Sequence, residues 1–197
     1  MIRTWFAAAV LALFLAAPAW AAPGIVKVSI KTTEGTILVG VDTKHAPITA
    51  KNFLAYVDKK NFDGMTFYRA ARAKGTTIGF IQGGVRNNYT RQLPRIPHEP
   101  TTKTGLSHVS GALSMAREEP GSATGDFFIL SGAQPQMDAH PGGKGDNAGY
   151  AVFGKVVSGM AVVKKILTGK TYAGGSGAMK GQMLEKPVKI IEARRVG

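Results

Sequence analysis

The chain has 197 residues, enough for one domain with a sizeable core, and 44% of them are hydrophobic. It has no cysteine, which excludes a disulfide scaffold and thiolate chemistry. The formal net charge is +13, but the lysines and arginines form no block of five or six and have no interleaved aromatics, so they read as a solvated surface and no nucleic-acid partner is expected.

In chain order, residues 1–21 come first. Arg3 gives a positive start, residues 5–17 are apolar and uncharged, and Ala19-Trp20-Ala21 has the small-x-small form of a cleavage site. The run is too short to span a bilayer comfortably. A signal peptide is expected here, with export to the periplasm, no stable membrane insertion after cleavage, and one domain over residues 22–197. Removal of Arg3 lowers the charge by one, to +12. Residues 25–32 and 36–42 alternate with period 2 around a Thr33-Glu34-Gly35 turn, which predicts a hairpin. At 47–59 the period changes: Ala50, Phe53, Leu54 and Val57 share one helical face after Pro47. Further strands are predicted at 65–70, 77–82, 111–116, 127–131 and 151–157. A second helix is expected at 160–167 and a last strand at 188–194. Residues 85–110, 132–149 and 168–187 read as long loops, the last with a flexible tip at Gly174-Gly175-Ser176-Gly177. Strands that do not alternate with helices argue against a parallel doubly wound sheet. The expected fold is mainly β, a closed eight-stranded antiparallel β-barrel with a helix over each mouth, two in all, since closure removes exposed strand edges.

Five separated segments combine strand-like apolar runs with a few polar side chains. They are Phe67-Tyr68-Arg69, Phe80-Ile81-Gln82-Gly83-Gly84, Leu113-Ser114-Met115-Ala116-Arg117, Asp126-Phe127-Phe128-Ile129, and Gly149-Tyr150 running on through Val152-Phe153-Gly154-Lys155. Arg69 is the most telling, because a cation inside an aromatic strand is costly unless something polar meets it. In this order the segments resemble those of the cyclophilins, which are peptidyl-prolyl cis–trans isomerases. The resemblance covers roughly residues 24–196. It implies the barrel, a catalytic role for Arg69, a pocket glutamine at Gln82, pocket positions at Phe80 and Phe128, and a substrate-pairing backbone at Ala116 and Arg117. Proline-containing polypeptides are the implied substrates, and the protein is expected to be a monomer.

The chemistry suits those residue types. Rotation about an amide must overcome about 18–20 kcal/mol of resonance. Twisting localises a lone pair on the proline nitrogen, so a fixed donor helps only in the transition state, and arginine is always protonated and rigidly forked. One charge-assisted hydrogen bond is worth about 1.5–3 kcal/mol, whereas a 10⁴-fold acceleration needs roughly 5.5. The rest must come from an apolar grip on the ring, expected from Phe80, Met115, Phe128 and Met137, and from polar contacts to the flanking chain, expected from Gln82, Ala116, Arg117, Asp126 and Tyr150. No cofactor is needed. The four histidines lack metal-ligand spacing and no Gly-x-Ser-x-Gly occurs, so neither a metal site nor a serine hydrolase is expected.

The chain also departs from the family's pattern. Tyr68 stands where histidine is usual, Arg117 where asparagine is common, Asp126 where glutamine is usual, and Tyr150 where a rim histidine is usual. Gln136 and Met137 occupy the region of a tryptophan and a leucine. Asp126 is expected to pair with Arg69 or Arg117. These departures leave a second reading, a proline-peptide-binding module or chaperone with little turnover.

Overall fold

The computed structural model describes residues 24–73, 75–86 and 88–197; the segment read as a signal peptide lies outside them. The first alternating runs become β1 (Ile25–Thr32) and β2 (Gly35–Asp42), paired antiparallel from Ile25↔Asp42 to Thr32↔Gly35. Successive side chains leave opposite faces of a strand, which is why Val28, Ile30, Ile37, Val39 and Val41 are all buried. Thr32 closes the turn: its hydroxyl donates to the Gly35 carbonyl (2.7 Å) and accepts from the Glu34 N–H (3.0 Å). Gly35 itself sits at φ +129°, a conformation that only glycine adopts cheaply.

Pro47 opens α1 (Pro47–Asp58), where a missing N–H costs nothing. The next donors are capped from far along the chain. The Glu99 carboxylate accepts from the N–H of Ile48 (3.2 Å) and of Thr49 (2.7 Å), and from the Thr49 hydroxyl (2.7 Å). Glu99 is 1% exposed. Three donors and the positive end of the helix make that burial tolerable. They also pin the long loop at 85–110 to α1.

The remaining elements are β3 (Thr66–Arg72), β4 (Gly79–Gly84), α2 (Thr101–Thr104), β5 (Ala112–Met115), β6 (Phe127–Ser131), β7 (Val152–Ser158), α3 (Met160–Leu167), β8 (Thr171–Tyr172) and β9 (Met183–Val196). Eight strands run in the order β1-β2-β7-β5-β6-β4-β3-β9, and pairing of β9 with β1 closes the ring. The two-residue β8 pairs only with β9. All pairings are antiparallel, so the expected barrel is present. α1 packs against β9, β7 and β2, and α3 against β2, β3, β4 and β6. Phe53 of α1 lies 5.1–5.2 Å, centroid to centroid, from Phe62, Phe127 and Phe153. Each such ring contributes about 1.5–3 kcal/mol by leaving water.

Two expectations need correction. The loop at 85–110 contains α2, a single turn ended by Gly105 at φ +71°. The loop at 168–187 contains β8 and the first residues of β9. Between Val188, opposite Phe67, and Met183, opposite Arg69, β9 carries four residues against Tyr68 alone. Glu185, Lys186 and Pro187 are exposed in that bulge. They erase the alternation by which the strand would be read, and proline is tolerated because no ladder N–H is required there.

Candidate active site

Phe67 and Ala70 both join the barrel core, which strict alternation forbids for residues three apart. A bulge resolves the conflict: Phe67 faces Gly83 and Arg69 faces Gln82, so Tyr68 is the extra residue. Tyr68 and Arg69 thus both leave the core side, and the cation avoids the phenylalanine cluster. Arg69 settles instead among neutral acceptors. Nε donates to Gln182 Oε1 (2.8 Å), Nη1 to Gln82 Oε1 (2.8 Å) and Nη2 to the Ala178 carbonyl (3.1 Å). Its Cζ lies 5.0 Å from the Phe80 ring centroid. Among the described residues it has no carboxylate partner. Arginine carries five N–H donors, so two remain for a ligand. Partial burial pulls its pKa below the ordinary arginine value, yet a guanidinium stays cationic at neutral pH.

Behind Arg69 runs a chain of hydrogen bonds. Gln82 Nε2 donates to the Tyr68 hydroxyl (2.8 Å), which donates to Asp126 Oδ2 (3.0 Å), and Asp126 Oδ1 accepts the Arg86 N–H (2.7 Å). Tyr68 is 2% exposed and Gln82 5%. Burial raises the pKa of both Tyr68 and Asp126 above their ordinary values, and the neighbouring Asp126 charge pushes Tyr68 further up. The Arg86 guanidinium covers the Tyr68 ring at 4.9 Å.

Beside the cation, the outward faces of four strands form a second apolar cluster. Ala112, Phe128, Leu130 and Val152 are buried in it, with Phe80, Ala116, Met137 and Tyr150 packed around them. The rings of Phe80 and Phe128 are 5.2 Å apart, and Tyr150 stands edge-on to Phe128 at 5.4 Å and 89°. Underneath, His108 stacks on Phe128 at 6.0 Å and 10°. Its Nδ1 is 2.6 Å from Asp138 Oδ1 and its Nε2 3.0 Å from Ser114 Oγ. The carboxylate can only accept, so Nδ1 carries the proton and Nε2 accepts from the serine hydroxyl. Burial lowers the His108 pKa. These three residues have the connectivity of a hydrolytic triad, but Ser114 is 0% exposed, so no substrate carbonyl reaches its oxygen. They instead brace the floor of the pocket. Among the described residues no group of three or more His, Cys, Asp or Glu is placed to hold a metal ion.

The structure brings Arg69, Phe80, Gln82, Phe128, Met137 and Tyr150 together. Met115 is different: it is 2% exposed and belongs to the main barrel core, because it shares a face with Leu113 and not with Ser114. Its expected place at the ring pocket goes to Leu130 and Val152. Asp126 pairs with neither Arg69 nor Arg117; it is held by Tyr68 and Arg86. Arg117 binds the Asp146 carboxylate with both terminal nitrogens (2.8 and 2.9 Å) and the Gly149 carbonyl, and lies 4.9 Å over Tyr150. Its side chain therefore clamps the loop before β7, leaving its main chain at the groove. The Ala116 N–H is already given to the Asp126 carbonyl (2.9 Å), whereas the Arg117 N–H has no backbone partner among the described residues. Gln182 and Ala178 were not foreseen, and no local signal marks them: a bulge and a loop carry them to Arg69. His108 and Asp138 were likewise unmarked. A cavity of about 480 Å³ opens beside the ring pocket, sharing Gln82 and Ala116 with its edge and lined further by Tyr68, Arg86, Arg117 and Asp126.

The family model for cyclophilin type peptidyl-prolyl cis-trans isomerase/CLD matches residues 26–195. A peptidyl-prolyl cis-trans isomerase of Acinetobacter baylyi is 35% identical over 168 residues, 85% of this chain and 84% of that protein. Peptidyl-prolyl cis-trans isomerase A of Dickeya dadantii is 36% identical over 160 residues, 80% of this chain and 79% of that one. In shape, the chain matches the crystal structure of a Cryptosporidium parvum cyclophilin type peptidyl-prolyl cis-trans isomerase with a TM-score of 0.64 and 20% identity, over 88% of this chain and 98% of the other.

Proposed function

This chain belongs to the cyclophilin-type peptidyl-prolyl cis-trans isomerases, and from that premise we propose that Arg69 is the catalytic cation of its X-Pro isomerase reaction and that exported proteins are its substrates. Enzymes of this family act on proline-containing peptides. The proline ring seats on Phe128, between Phe80, Met137 and Tyr150. An extended peptide pairs with the main chain at Ala116 and Arg117, and Gln82 meets a substrate carbonyl. As the imide twists, its nitrogen turns basic and takes a hydrogen bond from a free N–H of Arg69. One observation carries this reading: a half-buried guanidinium at an aromatic pocket, held by three neutral acceptors and, among the described residues, by no carboxylate. An ion pair would quench the field that the twisted amide needs.

A protease-coupled assay on an X-Pro peptide tests the assignment. Arg69→Ala should lower kcat/KM roughly 10- to 150-fold, the worth of one charge-assisted hydrogen bond. Equal rates for variant and wild type would overturn it.

The export reading is supported by the order of Arg3, the apolar stretch at 5–17 and Ala19-Trp20-Ala21. Cleavage after Ala21 would leave 22–197 as a monomeric isomerase domain in the periplasm. Among the described residues no helix is long and apolar enough to cross a membrane.

A further inference from the structure

Two of the chain's departures from the family pattern, Tyr68 and Asp126, are 58 residues apart in sequence and hydrogen-bonded to each other at 3.0 Å. Through Gln82 they reach Arg69. We infer that Tyr68 and Asp126 act together as positioning residues: they hold the Gln82 amide in the one orientation that presents its oxygen to Arg69, and so aim the guanidinium for prolyl isomerisation. This rests on the catalytic assignment of Arg69.

The argument is one of donor and acceptor polarity. A guanidinium only donates and an ionised carboxylate only accepts. Between these two ends lie a hydroxyl and an amide, each able to do either. With Asp126 ionised, the Tyr68 proton points to Oδ2 and its lone pair faces Gln82. The amide must then turn its nitrogen to Tyr68 and its oxygen to Arg69. Every link is satisfied in that direction only. Both middle residues are buried although they border the cavity, so each protein partner counts for more than it would in open water. The Arg86 N–H holds the other carboxylate oxygen at 2.7 Å, and its Cζ lies 4.9 Å over the Tyr68 ring, which fixes the far end. Without the tyrosine hydroxyl, Gln82 is held from the Arg69 side alone, and its amide loses the partner that fixes its nitrogen.

The charge on Asp126 sets the direction at the far end, so acid should weaken the hold on Gln82. A protonated Asp126 can donate to Tyr68, whose own proton is then free to seek the Gln82 oxygen and compete with Arg69 for it. The groups facing Asp126 are Tyr68 of β3, the N–H and guanidinium of Arg86 after β4, and Tyr56 of α1.

The test is a double-mutant cycle in the isomerase assay. Tyr68→Phe keeps the ring and its contact with Arg86. It should lower kcat roughly five- to ten-fold, with KM within two-fold of wild type, the worth of one neutral hydrogen bond. In a Gln82→Ala background the same change should cost nothing further, because the path runs through the amide. A kcat for Tyr68→Phe within two-fold of wild type, or the same loss in both backgrounds, would overturn the pair. If Tyr68→Phe does not fold, the wild-type pH profile decides: kcat should fall in acid with a midpoint above 3.8, the ordinary aspartate value, while circular dichroism still reports a folded chain. A flat kcat down to that pH would sink the proposal. An active Arg69→Ala would refute the catalytic assignment; an inactive Arg69→Ala beside a fully active Tyr68→Phe would refute the positioning pair alone.

Discussion

At the scale of single residues, this site depends on polar groups that are buried but not idle. His108 shows how such a group reports on pH. Its side chain is fully buried between Asp138 and Ser114, and burial outweighs the attraction of Asp138, so its folded pKa lies below the ordinary 6.5. In the unfolded chain the imidazole takes up a proton near pH 6.5, and in the folded chain only at lower pH. Between those two values the unfolded state binds more protons, so stability rises with pH and is lost as pH falls from 6.5. The thermal midpoint should therefore drop between pH 7.5 and 5.5, and His108→Gln should flatten that slope. A slope identical in wild type and variant would contradict the account. Arg69 and Gln82 stood out as candidate site residues because a cation and an amide in aromatic strands are out of place. Which way their side chains turn was not legible, since a one-residue bulge at Tyr68 decides it.

At the scale of elements, periodicity told most of the story. α1 and α3 lie within a residue of their predicted bounds because each buries one helical face, and β6 because it is a short run apolar on both faces. The misses are all places where the backbone leaves its period: α2, β8 and the bulged start of β9. Glu99 is the clearest case of an element stabilised from outside its own sequence. It sits about 50 residues beyond the α1 N-terminus and satisfies three donors there. Glu99→Ala should lower stability by about 1–3 kcal/mol, because it leaves two helix N–H groups unpaired. For a chain of this size the thermal midpoint should fall by roughly 2–4 °C per kcal/mol. Isomerase activity at 25 °C should be retained, since the Glu99 carboxylate bonds to α1 and not to Arg69 or Gln82. A midpoint unchanged within 1 °C, about half the smallest shift expected, would count against the cap.

For the molecule as a whole, two properties follow from different parts of the chain. The proposed export rests on residues 1–21 alone, and it predicts that protein recovered by osmotic shock starts at Ala22 by mass spectrometry; a full-length chain confined to the cytosol would contradict it. Closure of the barrel is not local at all: it requires β9 to meet β1 from Lys27↔Val196 to Thr32↔Ile190, across most of the sequence. The order of motifs announced the family, the barrel and a groove with Arg69 at its edge, because apolar alternation and misplaced polar residues survive in one dimension. Only the folded chain decided that Met115 fills the core, that Arg117 grips Asp146, and that Tyr68 and Asp126 find each other. Bulges and loop returns choose those partners, and they do so by geometry between strands that the linear pattern does not record.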